Sequence, residues 1–412
     1  MKPLSCYLFT KFKFNQSQSI IYYTFVFIFV LAASSAPTPL YNLYQSQIGF
    51  STIMLTLIFA VYSFSLLLTL LIAGALSDYI GRKPVIFIAI LLLSLSMILF
   101  LFANTVSELL VARALQGLAT GLATSSICAS IIDINKVLGA KINSFSPMIG
   151  MAAGMMISCS VISLTLAPIR DVFIVLIAIL ALILGLFVFT TETGERKYGA
   201  ISSLKPTVSI PVAAREKFLT ISPINIALWM LSGFYLSLMP SLLSSVFINP
   251  SVWVSGSAFL LLTISASVAI VILKKVSYIN AMLFGITFIS SGMLLILSGA
   301  NTSSANSLFL GSLLAGIGFG LSFMGVMSCL FSNINHAEKG QLISIFYIES
   351  YLAFSMPVLI MSLLMNQFGI NLMQATNAYG AILMTLLLIS FYFIFKHKMR
   401  YSKRKSNLSP NT

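Results

Sequence analysis

The 412-residue chain is 58% hydrophobic and only 8% charged, with a mean hydropathy of +1.02. That composition excludes folding around a single water-soluble core and points to an integral membrane protein. The net charge of +14 is not a nucleic-acid signature, because the basic residues are dispersed among short loops and not gathered on one domain.

Crossing about 30 Å of hydrocarbon takes about 20 apolar residues in a helix. Twelve such runs follow a basic N-terminal segment (1–19): 20–43, 53–76, 85–103, 106–130, 142–165, 171–190, 222–246, 252–273, 279–299, 306–328, 342–365 and 374–396. The first run ends on Ala32-Ala33-Ser34-Ser35-Ala36, which has the form of a secretory cleavage site. Pro37 directly follows that site and the apolar run resumes through Pro39, Leu40 and Tyr41, so an uncleaved first span is expected. Pro147 and Pro240 interrupt the fifth and seventh runs, whose boundaries are the least sharply drawn.

A polar stretch at 191–221 parts the chain into segments 20–190 and 222–396, and a basic tail occupies 397–412. The expected fold is therefore an all-α membrane protein of twelve helices in two six-helix bundles. With the N-terminus inside, all but two of the 23 Lys and Arg residues fall in cytoplasmic segments; the exceptions are Arg113 and Arg170. Both termini are then cytoplasmic, in the inner membrane of a bacterial cell. The lipid bilayer is a partner, nucleic acid is not, and a monomer is expected.

Polar residues at membrane depth are costly and mark function. Arg113 lies about 12 Å deep in the fourth span, where a charge costs about 3 kcal/mol. At 100° per residue, Gln116, Gly117, Thr120 and Thr124 share its face, a stripe that suits the protein interior or an aqueous cavity. A purely structural arginine bonded to a neighbouring helix is the alternative. Glu349 is the one carboxylate deep in a span, the eleventh. Ser344, Tyr347, Tyr351 and Ser355 cluster on the other side of that helix, so either those residues or Glu349 line the cavity. Tyr41 and Asn42 in the first span, with Asn225, Trp229 and Ser232 on one face of the seventh, complete the candidate cavity residues.

Catalytic and metal chemistry lack parts. Cys6, Cys128, Cys159 and Cys329 are scattered, and His336 and His397 fall at inner membrane edges. Gly316-Ile317-Gly318-Phe319-Gly320 lies inside an apolar run without the strand-turn-helix context of a nucleotide loop, so close helix packing explains it better. Neither an enzyme, a metal nor a cofactor is implied.

The most informative polar segment is Gly74-Ala75-Leu76-Ser77-Asp78-Tyr79-Ile80-Gly81-Arg82-Lys83, between the second and third spans. Its glycines permit a tight turn and close backbone approach, while Asp78 and Arg82 are spaced to pair. Asp133, at the inner end of the fourth span, is a further partner for Arg82. Setting topology alone is the bland reading of Arg82 and Lys83, but it leaves Asp78 without a task.

This loop resembles the one between helices 2 and 3 of the major facilitator superfamily, a pattern met by Gly74, Leu76, Asp78, Gly81, Arg82 and Lys83; Tyr79 departs, where a basic residue is usual. Arg113-Ala114-Leu115-Gln116-Gly117 is similar to the family's helix 4 motif. Ser146-Pro147-Met148-Ile149-Gly150-Met151 keeps part of its helix 5 antiporter motif, with Pro147 and Gly150. Pro37-Thr38-Pro39-Leu40-Tyr41 looks like drug-exporter relatives. The resemblance implies a two-bundle secondary transporter of a small organic molecule working by alternating access, with Asp78, Arg82 and Asp133 in a charge network that locks one conformer. It also implies proton-coupled efflux, with Arg113 tied to proton exchange and a proton gradient as the energy source. Symport, uniport and a non-transporting sensor keep the same motifs, and the absence of an acid in the first span speaks against a multidrug pump for cations.

Overall fold

A computed structural model of the chain describes residues 13–205, 210, 212–247, 251–330 and 336–407. Among them the secondary structure is entirely helical. Twelve helices are long and apolar enough to cross a membrane. The molecule is a multi-pass membrane protein.

The first span is broken. Helix α1 (Gln16–Ser35) is capped by Asn15 and Gln18, which exchange side-chain and backbone hydrogen bonds. Pro37 and Pro39 then force a single 3-10 turn (Thr38–Leu40) before the chain resumes as α2 (Tyr41–Ile48). Next come α3 (Thr52–Ala73), the single turn α4 (Ser77–Ile80), α5 (Arg82–Phe102), α6 (Val106–Ile134), α7 (Lys136–Leu164) and α8 (Pro168–Phe187). The second half holds α9 (Val212–Val246), α10 (Val252–Ile272), α11 (Tyr278–Thr302), α12 (Ala305–Leu330), α13 (His336–Phe368) and α14 (Leu372–Asn407).

Several helices outrun the apolar runs that announced them. Helix α9 begins at Val212, so the end of the polar stretch expected at 191–221 is helical, and Arg215 and Lys217 lie in its early turns. Helix α14 continues to Asn407, so most of the expected tail at 397–412 is helical too; Lys398 Nζ donates to Asn280 Oδ1 at 2.9 Å. Helical backbone bonding does not depend on apolar side chains, so a helix can leave the hydrocarbon and continue. Pro147, Pro223 and Pro240 sit inside their helices without ending them.

The structure divides into two compact units, 1–50 with 61–206 and 51–60 with 207–412. The first turns of α3 thus belong with the second unit and not with the N-terminal bundle expected at 20–190. Their partners explain why: Thr56 Oγ1 donates to Ser362 Oγ at 3.2 Å, and the Phe59 ring lies 4.9 Å from that of Phe354.

Within the first unit α7 packs on α1 through glycine. A side chain at Gly150 would press on the Ile28 carbonyl and Leu31, and one at Gly154 would strike the Ala32 carbonyl and Ser35. Gly117 and Gly121 seat α6 against α3 in the same way. In the second unit Gly316 and Gly320 bring α12 against α10 at Leu262, Ser265 and Ala266. Those glycines pack helices, as their apolar setting implied.

Candidate functional site

Three constellations emerge from the residues singled out in the sequence. The first is at the loop between α3 and α5. Gly81 adopts φ +101 and ψ 155, a conformation open essentially to glycine alone, and it turns the chain from α4 into α5. That turn aims the Arg82 guanidinium back along the loop. Arg82 donates to Asp78 Oδ1 and, at 2.8 Å, to Ser77 Oγ through Nη1; its Nε lies 3.1 Å from Asp133 Oδ2 at the end of α6. One guanidinium thus ties together the loop and the C-terminal end of α6. Lys83 Nζ donates to the Thr190 carbonyl at 2.7 Å and lies over the Phe187 ring, which holds α5 to the end of α8. Gly74 lies in the turn after α3.

A residue with no local signature completes this cluster. Glu192, in the polar stretch after α8, accepts from the backbone N–H groups of Arg82 at 2.8 Å and Lys83 at 3.1 Å. These are orphan donors of the first turn of α5, so Glu192 caps that helix from more than a hundred residues away. Tyr79, the departure from the motif, accepts at its carbonyl from Lys197 N at 2.9 Å. The start of the inter-bundle segment is therefore strapped across the loop. No local pattern betrays this, since an acid in a polar loop reads as solvated.

The second constellation surrounds Arg113, which is 1% exposed. Its Nε donates to the Tyr41 hydroxyl, and Nη1 donates to Gln116 Oε1 and, at 3.2 Å, to the Ser34 carbonyl. Gln116 Nε2 in turn donates to the Ala33 carbonyl at 2.8 Å. The Thr120 and Ser34 hydroxyls lie 3.0 Å apart. Three rings cover the guanidinium, with centroids 4.9 Å (Tyr41), 5.4 Å (Tyr62) and 5.7 Å (Phe100) from Cζ. Among the described residues no carboxylate of its own unit pairs with it. Arg113, Gln116 and Thr120 of the α6 stripe inferred from the helical wheel thus face α1, while Gly117 of the same stripe meets α3. The break after α1 helps, because it leaves Tyr41 directed at Arg113. Asn42, one residue on, is exposed and takes no part. Gly150 belongs to the α7 contact with α1, and Pro147 lies within the same helix three residues earlier.

The third constellation is in the second unit. Asn225 on α9 donates through Nδ2 to Glu349 Oε2 at 2.7 Å and to Ser350 Oγ at 3.1 Å, both on α13. Trp229, one turn after Asn225, sits 5.2 Å from the Tyr351 ring, and Tyr351 is 6.0 Å from Tyr347. The wheel sets Glu349 and Tyr351 about 200° apart, yet both reach α9 residues, because their long side chains wrap around α13 from either flank. Both the acid and Tyr351 of the tyrosine stripe thus pack against α9. Ser232 is buried and donates to the Leu228 carbonyl of its own helix.

Comparison with known proteins follows the same line. A family profile described as Major Facilitator Superfamily matches residues 23–356. Over 76 residues the chain is 38% identical to the multidrug resistance protein MdtL of Shewanella oneidensis, a match covering 18% of this chain and 19% of that relative's length. Two solved structures share the fold over most of their length. The human organic anion transporter MFSD10 (TETRAN) superposes with a TM-score of 0.67 at 16% identity, over 93% of this chain and 100% of that one. A POT family transporter in complex with 5-aminolevulinic acid superposes with a TM-score of 0.73 at 14% identity, over 92% and 96%. At such identities the likeness is one of fold.

Proposed function

The chain belongs to the major facilitator superfamily, a family of transporters and not of enzymes, and from that premise we propose that it exports a small organic solute in exchange for protons by alternating access. The observation that carries the reading is the pair of ionisable side chains at membrane depth, the buried Arg113 in the first unit and the half-buried Glu349 in the second, each held by neutral partners. Charges so placed are expensive and are kept for ions, protons or substrate. The remnant antiporter motif at Pro147 and Gly150 and the short likeness to a protein named for multidrug resistance favour export over uptake.

In this reading Gly74, Asp78, Gly81, Arg82, Lys83 and Asp133 are the conformational latch, and both termini face the cytoplasm of a bacterial cell. Asp78, Asp133 and Glu192 can hold Arg82 and Lys83 in one conformer and release them in another, which is the switchable charge network a gate requires. Glu349 is the proton carrier, since a membrane-depth carboxylate can be neutralised reversibly while Arg113 stays charged. Residues 20–190, apart from the first turns of α3, and 222–396 act as the two rocking halves, joined through 191–221.

The test uses inverted membrane vesicles, a panel of organic cations, anions and neutral solutes, and a pH-sensitive dye. Solute-dependent proton release is expected. Solute movement without proton release would make uniport the better description, and proton movement in the same direction as solute would make it symport. A purified protein that moves nothing in sealed vesicles would be a sensor.

A further inference from the structure

The second unit contains a carboxylate at membrane depth that no cation pairs with among the described residues. Its surroundings describe a ligand. Asn225 is fully buried, and because Nδ2 donates to the Glu349 carboxylate, the amide orientation is fixed with Oδ1 on the other side. That Oδ1 is buried without a hydrogen-bond partner, and so is Trp229 Nε1 one turn along α9. Native structures rarely leave such atoms unmet, and an unmet acceptor beside a carboxylate calls for a donor that carries positive charge.

The rings around it ask for the same thing. Trp229, one turn along α9 from the Asn225 that holds the acid, lies 5.2 Å from Tyr351 and 6.0 Å from Phe354, which gives adjoining aromatic faces on the same two helices. Aromatic faces attract cations and repel anions, and Trp is the strongest of them. Arg113 is poorly placed to serve an anionic solute in this arrangement, because it is 1% exposed and its Nε and Nη1 are already held by neutral partners of its own unit.

We propose that Glu349, Asn225 and Trp229, with the faces of Tyr351 and Phe354, form a binding site for an organic ammonium carrying an aryl or alkyl body. The ammonium N–H groups bond Glu349 and Asn225 Oδ1, the body packs on the rings, and Trp229 Nε1 is left to donate to an oxygen of the solute. This names the substrate class and rests on the transport reading above. It also runs against the expectation that a chain without an acid in its first span does not handle cations: the acid is in the eleventh span instead.

The site is tested by binding, without transport. In purified full-length protein carrying Trp253→Phe, Trp229 is the sole tryptophan and reports directly on the site. Three matched probes are titrated: 4-phenylbutylamine, 4-phenylbutanol and 4-phenylbutyrate. The amine alone should quench saturably. Its Kd should rise by about 10- to 100-fold in Glu349→Gln, as expected for loss of a charge-assisted bond. Glu349→Asp should recover part of the loss, and Asn225→Ser should weaken binding while leaving the acid in place. Equal binding of the three probes, preference for phenylbutyrate, or wild-type affinity for the amine in both Glu349→Gln and Asn225→Ser overturns the site. Amine binding without proton-linked movement supports this site while removing the export reading. Proton release driven by an anion that the amine does not compete with does the opposite.

Discussion

Glu192 receives the backbone N–H groups of Arg82 and its neighbour at 2.8 and 3.1 Å, so the segment that joins the two halves of the chain caps the helix that follows the loop at 74–81. Side-chain caps of this kind contribute about 0.5 to 2 kcal/mol, and a carboxylate at a helix N-terminus adds a favourable charge term. Glu192→Ala should lower the melting temperature of purified protein in detergent, and Glu192→Gln, which keeps an acceptor, should lower it less. Identical melting of all three proteins would show that the cap does not hold in the membrane protein.

Gly81 is linked to the same contact. A Cβ there would lie 2.6 Å from Glu192 Oε2, and φ +101 is strained for any side chain. Gly81→Ala should therefore cost about 1 to 3 kcal/mol. Part of that cost should vanish when it is combined with Glu192→Ala, because the steric part goes and the backbone strain stays. A double-mutant cycle on melting curves measures the coupling, and strict additivity would separate the two residues.

The Arg82 to Asp133 pair should behave differently. Their side chains are 12% and 30% exposed, and partly exposed pairs contribute about 0 to 1 kcal/mol. Asp133→Asn should leave melting nearly unchanged and still alter transport, since a latch works by the difference it makes between two conformers. The measurement is initial transport rate beside melting temperature in the same preparation. A large stability loss with proportionate loss of transport would mark the pair as structural.

These contrasts show what a sequence can disclose. Asp78, Arg82 and Asp133 were legible because an acid at the inner end of a span has few possible tasks. Glu192 was not, because its partners are backbone N–H groups distant in sequence, which leave no trace in residue identity. Arg113 announced itself by its cost in hydrocarbon, but two of the acceptors that hold its network are the Ser34 and Ala33 carbonyls, equally invisible. The span count was plain from hydropathy. The helix ends beyond the hydrocarbon, at 212–221 and 397–407, were not, because there helix formation and hydrophobicity part company.

The environment of Arg113 permits the most discriminating substitutions. Its guanidinium is a planar fork that reaches Tyr41, Gln116 and the Ser34 carbonyl at once, beneath three rings. A lysine keeps the charge but cannot reproduce that fork or stack in the same way, so Arg113→Lys is not conservative here. It should abolish most solute-dependent proton release in vesicles even where the protein folds. Tyr41→Phe keeps the ring over the guanidinium and removes only the hydroxyl acceptor, leaving a buried N–H of a cation unmet. That should cost about 1 to 3 kcal/mol of stability and lower transport less than Arg113→Lys does. Melting curves and vesicle assays on both variants separate two roles. If Arg113 is only a structural tie between α6 and α1, the two variants lose transport in proportion to stability. If it takes part in coupling, Arg113→Lys falls far below the line that Tyr41→Phe sets. Full transport by a well-folded Arg113→Lys protein would remove the guanidinium from the mechanism.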